Sequence, residues 1–254
     1  MAVPIFNKKM NYKALMAEFI GTFALIFIGV STIAANEING SASGLVGIAL
    51  GHGLTIAVMV SATAAISGGH LNPAVTFGAW LARKIDGLNA LGYIGSQCFG
   101  AFLAANLIKL TVPASALHQI AMGTPGPGEG VAPSMALAME VVLTFFLVFV
   151  VFGTGIDGRA PKVGGLFIGL TVILDILAGG PISGAAMNPA RYLGPALASG
   201  NLEFFWLYWI GPLMGGAIAA LVYYFVFEES ANFYPFSQKM SLNSASKQRR
   251  SSRR

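Results

Sequence analysis

Six stretches of the chain are apolar on all sides rather than along one face: Ala14 to Ala35, Gly44 to Ile66, Leu88 to Leu110, Pro133 to Thr154, Val163 to Ala178 and Phe204 to Phe227. A soluble helix carries polar residues at helical spacing on its outer side, and these segments carry almost none. Most are long enough to cross a hydrocarbon core, which takes ~20 residues of helix. The pattern predicts an all-α membrane protein with six transmembrane helices. The first stretch is longer than a signal-peptide core and no small-residue cleavage site follows it, so it is expected to remain as the first span.

Between the spans lies a repeat. Ile66-Ser-Gly-Gly-His-Leu-Asn-Pro-Ala-Val-Thr-Phe-Gly-Ala-Trp-Leu81 aligns without a gap on Ile182-Ser-Gly-Ala-Ala-Met-Asn-Pro-Ala-Arg-Tyr-Leu-Gly-Pro-Ala-Leu197, with eight of sixteen positions identical. Glu18 in span one has its counterpart in Glu140 in span four. The chain therefore divides into two copies of one three-span unit, 14–110 and 133–227, joined by an outer loop 111–132. An odd number of spans per copy turns the second upside down in the membrane, an inverted repeat. The repeated segments are too short to span and hold Gly and Pro, so each reads as a re-entrant loop feeding a half-helix, at 73–81 and 189–198. Non-helical backbone at such depth is tolerated only against protein or a water-filled lumen.

Composition agrees: 55% of residues are hydrophobic and 10% charged, against about 25% charged in soluble domains. The formal net charge of +5 is uneven in position. Lys8, Lys9 and Lys13 precede span one, Arg83 and Lys84 follow span two, Arg159 and Lys162 join spans four and five, and six more fill the tail. Basic residues collect in cytoplasmic loops, which places residues 1–13 and the tail 228–254 in the cytoplasm and favours the plasma (inner) membrane. The Ser-rich basic stretch Lys239 to Arg254 lacks apolar periodicity and reads as disordered, suited to orientation or anionic-lipid contact. Lys109 and Arg191 stand outside the pattern. The lone Cys98 allows no intrachain disulfide.

In each repeat an Asn precedes Pro, as at a helix start: Asn accepts a backbone N–H as N-cap and Pro takes the first helical position. Inverted symmetry brings both positive helix ends to mid-membrane, with the NH2 groups of Asn72 and Asn188 free to donate to a passing oxygen. Two such dipole ends oppose any cation. Val75 in the first copy becomes Arg191 in the second, the only formal charge in either segment; a guanidinium there needs water, which assigns it to a narrow outer constriction. Glu18 and Glu140 cannot face lipid and are expected to accept hydrogen bonds from loop N–H groups. Asp175 is given the same loop-bracing role. His70 suits either the inner vestibule or loop bracing, and His52 either the pore or a helix contact. Gly47/Gly51, Gly165/Gly169 and Gly211/Gly215 form small pairs for close helix packing.

The segments Ser-Gly-Gly-His-Leu-Asn-Pro-Ala-Val-Thr at 67–76 and Ser-Gly-Ala-Ala-Met-Asn-Pro-Ala-Arg at 183–191 resemble the paired signature of the aquaporin (major intrinsic protein) family. The resemblance covers about Lys13 to Phe227. It implies a channel rather than an enzyme, a homotetramer with one pore per subunit, and no cofactor or metal. By position the family's outer filter falls on His52, Ile176, Ala185 and Arg191. Strictly water-selective relatives carry an aromatic residue at the first of these and His at the second. His and Ile resemble the plant tonoplast-intrinsic subgroup, while the basic pattern and short termini also suit a prokaryotic member. Such a filter implies water, with ammonia or hydrogen peroxide beside it. Glycerol-selective relatives carry Asp where Tyr192 stands and a basic residue where Ala196 stands. A glycerol facilitator is thus the second reading, and a coupled secondary transporter, also built from inverted repeats, a third. Few acids lie inside the membrane to bind a coupling ion. No folded basic module points to nucleic acid.

Overall fold

The chain's structure, a computed structural model, describes residues 9–160 and 163–228. The readings that fall on Lys8, Lys162 and the basic tail Lys239 to Arg254 lie outside the described residues. Nine α-helices occur among those described: α1 (Tyr12–Ile38), α2 (Gly44–Ser67), α3 (Pro73–Leu81), α4 (Gly87–Thr111), α5 (Ala114–Gln119), α6 (Pro133–Val151), α7 (Gly164–Ser183), α8 (Pro189–Ser199) and α9 (Phe205–Val222). Helices α6 and α9 each continue in a wider π-helical turn, to Ile156 and Glu228. Six helices are long and apolar enough to cross a membrane.

Polarity is turned inside out relative to a soluble bundle. Leu91 and Leu174 are 72% and 65% exposed, whereas Glu18, Gln97 and Glu140 are completely covered. A surface of exposed apolar side chains around buried carboxylates and amides suits lipid rather than water.

The packing exchanges under the repeat. Helix α1 packs on α4 and α2 as α6 packs on α9 and α7. Half-helix α8 of the second copy lies on α4 of the first, and α3 of the first lies on α9 of the second. The two copies meet along α2 and α7, where a Cβ on Gly169 would run into the Gly53 carbonyl oxygen and the Ala57 side chain. Only a side chain of hydrogen fits that approach. Gly165, Gly169, Gly211 and Gly215 all face a neighbouring helix, and Gly51 faces Thr32 of α1. Gly47 departs from its expected packing role, since a Cβ there would meet only Ser43 of the adjoining turn.

Two boundaries differ from those the sequence predicts. The fifth span was expected to end at Ala178, yet α7 runs through Gly179, Gly180 and Pro181 to Ser183. Gly179 sits against Leu143 of α6, and neighbouring helices can satisfy the carbonyl that an internal proline frees. The connecting segment 111–132 is not a plain loop. It forms α5 and a short 3₁₀ turn at Ala121–Gly123, and Gly128 N–H donates to the Ile182 carbonyl at the end of α7.

Candidate functional site

The local sequence dictates the two half-helices. Asn72 is extended, and its Oδ1 accepts the Ala74 N–H at 2.8 Å; Asn188 likewise accepts from Ala190 at 3.0 Å and Arg191 at 3.2 Å. Pro73 and Pro189 then open their helices with φ already fixed. Before each Asn the backbone winds through left-handed conformations: Gly68, Gly69 and Leu71 in one loop, and Gly184, Ala185 and Met187 in the other, all have positive φ. Leu71, Ala185 and Met187 have side chains, so this geometry is strained and must be imposed from outside.

Two buried carboxylates impose it. Glu18 accepts from Ser67 Oγ (2.6 Å), His70 N (2.9 Å), Leu71 N (2.6 Å) and Gln97 Nε2 (2.7 Å). Glu140 accepts from Ser183 Oγ (2.7 Å), Ala186 N (2.8 Å) and Met187 N (2.7 Å). Two tyrosines complete the frame, Tyr93 having had no sign in the sequence: Tyr93 Oη donates to the Ser67 carbonyl at 2.9 Å and Tyr208 Oη to the Ser183 carbonyl at 2.6 Å. A carboxylate can accept several N–H bonds at once, which suits it to gather a loop of otherwise unsatisfied donors.

The loops meet tip to tip. Asn72 Nδ2 donates to the Met187 carbonyl at 2.8 Å, and Asn188 Nδ2 donates to the Leu71 carbonyl at 3.0 Å. The expectation that both NH2 groups are wholly free is corrected: each amide uses one N–H to tie the facing loop. The second N–H is left for the lumen.

Beside this contact runs a narrow cavity of about 40 Å³. At ~13 Å³ of such space per water it holds a short file of about three molecules. His52, His70, Asn72, Asn188, Ile176 and Arg191 line it, with Ala185 at the same wall. Val60, Val75, Leu147 and Ile168 supply an apolar remainder. At the Arg191 end it meets a wider cavity of about 290 Å³ that shares His52, Ile176, Ala185 and Arg191.

At the junction of the two cavities, Arg191 Nη1 donates to the Gly123 carbonyl at 2.7 Å. The connecting segment thus reaches into the mouth, and Gly123, Thr124 and Gly126 help to line it. A backbone carbonyl has no side-chain signature, so this contribution is not legible from residue types. His52 Nδ1 lies 2.9 Å from the Ile48 carbonyl. A carbonyl only accepts, so the ring proton sits on Nδ1 and Nε2 presents a lone pair. Nε2 has no protein partner. Gly29 of α1 makes room for that ring, because a Cβ there would meet Nε2 at 2.5 Å.

His70 lines the cavity, and its Nδ1 lies 3.1 Å from Thr76 Oγ1 while its ring meets Tyr93 edge-on. Asp175 does not brace the loop. It is 6% exposed, and its Oδ2 has no hydrogen-bond partner. The Glu140 carboxylate and Ser183 already hold the donors of that loop, which leaves none for a second acid. Among the described residues, no group of three or more His, Cys, Asp or Glu is arranged to hold a metal.

The fold and the site define a polytopic membrane protein whose two half-helices close on a water-sized passage. The profile of the major intrinsic protein family matches residues 5–223, and the chain belongs to that family. It is 45% identical over 225 residues to a protein of Oryza sativa subsp. japonica described as "Probable aquaporin TIP2-1", covering 85% of this chain and 88% of that one. It is 43% identical over 237 residues to "Aquaporin TIP2-3" of Zea mays, covering 90% and 92%. Among solved structures, the aquaglyceroporin from Plasmodium falciparum superposes with a TM-score of 0.76 at 23% identity, over 88% of this chain and 99% of that one. At that identity the likeness speaks to the fold alone.

Proposed function

We propose that the chain is a passive water channel that excludes ions and protons. The reading is carried by one observation: a single narrow cavity passes both asparagine amides and ends between His52 and Arg191. Water entering it exchanges its bulk hydrogen bonds for a few fixed donors. The amides and the guanidinium donate. A cation meets the positive ends of α3 and α8 and then the guanidinium, with no carboxylate on the wall to offset them. The relatives' description as aquaporins supports the same reading.

His52, Ile176, Ala185 and Arg191 form the filter in this proposal, Asn72 and Asn188 the central constriction, and His70 part of the inner vestibule. Ile176 and Ala185 leave one side of the filter apolar and uncrowded, which extends the solute range to ammonia or hydrogen peroxide. Both termini lie in the cytoplasm, the two three-span units are 14–110 and 133–227, and four copies assemble in the membrane, each with its own pore. The relatives named as TIP-type proteins leave an internal membrane open beside the plasma membrane. No observation favours glycerol conduction or coupled transport over this reading.

Stopped-flow light scattering on proteoliposomes tests it. Fast shrinkage in an impermeant osmolyte, slow glycerol entry and no dissipation of a proton gradient are expected. Glycerol entry as fast as water would reverse the order of substrates, and saturable uptake driven by an ion gradient would remove the channel reading.

A further inference from the structure

Neither the cytoplasmic bias of basic residues nor the filter accounts for Lys109. It stands in the last turn of α4, which begins at Gly87. At 1.5 Å per residue, Lys109 lies roughly 33 Å along the helix from that start. A hydrocarbon core is about 30 Å thick, so the ammonium reaches headgroup depth on the face opposite Arg83 and Lys84. Among the described residues Lys109 makes no ion pair.

Lys109 borders a cavity of about 540 Å³ between the ends of α4 and α8, which His118, Leu117, Met122, Ser199 and Asn201 also line. The lining holds donors and no carboxylate. Asn201 Oδ1 is occupied by the Glu203 N–H at 3.0 Å, which turns its NH2 toward other partners. Below Lys109, toward mid-membrane and on the same side of α4, Phe102 and Phe99 are exposed. A cation and amide donors above an apolar slope match a ligand with an anionic head and hydrocarbon chains.

We propose that this cavity seats the phosphate headgroup of an anionic phospholipid from the adjoining leaflet. Lys109 supplies the charge, His118 and Asn201 supply further donors, and the acyl chains lie over Phe102 and Phe99. The site is separate from the pore, so it does not depend on what the pore conducts.

Native mass spectrometry of the full-length protein in neutral detergent tests it, with phosphatidylglycerol, phosphatidylcholine and inorganic phosphate as probes. Phosphatidylglycerol is expected to be retained in preference to phosphatidylcholine. Lys109→Gln should weaken that retention roughly fivefold, the effect of one basic residue at a membrane surface, and Asn201→Ala should weaken it further. Lys109→Arg should keep it, as should Lys13→Gln on the opposite face; a thermal melt confirms that each variant is folded. Equal retention by the native chain and Lys109→Gln would overturn the proposal, leaving Lys109 to complement the carbonyl end of α4. Displacement of the lipid by an equal concentration of inorganic phosphate would overturn it in favour of a free-anion site.

Discussion

At the scale of single residues, space and unpaired polar atoms decide more than charge does. Gly29 has no chemistry, yet a methyl there would occupy the place of His52 Nε2. The imidazole can yield only toward the lumen, because its other nitrogen is tied to the Ile48 carbonyl. Gly29→Ala is therefore expected to lower water permeability several-fold with the protein still folded, read by stopped-flow; unchanged flux would mean that the ring has another place to go. Asp175 illustrates the opposite error of reading. An acid at that depth needs a partner, and the sequence suggested the nearby loop as that partner. The structure leaves Oδ2 unpaired. Asp175→Asn should then preserve flux and leave the melting temperature nearly unchanged, since one unpaired polar group replaces another. A loss of flux with a lower melting temperature would restore a bracing role. Cys98 is partly buried in α4 and does not border the pore cavity, so mercurials should block weakly; strong block abolished by Cys98→Ser would contradict the placement.

At the scale of elements, the two re-entrant segments are strained loops held by one carboxylate each. Glu140 gathers two backbone N–H groups and a hydroxyl. Glu140→Gln keeps the volume but turns one acceptor into a donor facing donors. The expected cost is about 3 kcal/mol, from lost charged hydrogen bonds and a stranded buried group. Tyr208→Phe keeps the stack on Tyr192 at 4.6 Å and loses only the bond to the Ser183 carbonyl, so it should cost about 1 kcal/mol. Thermal melts in detergent give both, and the reverse order would show that the tyrosine, not the acid, carries the loop. A lesser clamp lies at the other end of α6: Asp157 accepts from Arg159 and from Tyr223 Oη. The Arg159 bonds hold the Asp157 carboxyl well below the usual carboxylate range. A depressed acid contributes its stability above its unfolded pKa and loses it only as pH falls beneath that, so the clamp is constant at neutral pH.

These elements were legible in the sequence to different degrees. The half-helices were, because Asn-Pro is a helix start that needs no tertiary help, and α3 spans the expected residues. The bracing acids were, because a carboxylate inside a membrane span has few other fates. The end of α7 was not, since Gly179-Gly180-Pro181 is a stop signal in water and a tolerated stretch in a packed membrane helix. The entry of the segment around Gly123 into the mouth was not either. It rests on a main-chain carbonyl meeting Arg191, and any residue could have supplied it.

At the scale of the whole molecule, the inverted repeat makes the two faces nearly alike in backbone, so little but charge tells inside from outside. Lys9, Lys13, Arg83, Lys84 and Arg159 all lie where helices begin or end on one face: at the start of α1, between α3 and α4, and between α6 and α7. The turn Asn39–Ser43 between α1 and α2 and the segment holding Glu129 lie at the other. Basic residues resist translocation, which in the proposed orientation puts the first face in the cytoplasm. In a Cys98→Ser background, a membrane-impermeant maleimide added to intact cells should label Ser41→Cys and Glu129→Cys. It should leave Arg83→Cys unlabelled until the membrane is permeabilised. Arg83 has positive φ and is exposed, so a cysteine there would react freely if reached, and protection can only mean the far side of the bilayer. The opposite labelling would invert the protein and move Arg191 to the cytoplasmic mouth. The pore would survive that inversion, because its conduction depends on the meeting of two half-helices and not on which leaflet each enters.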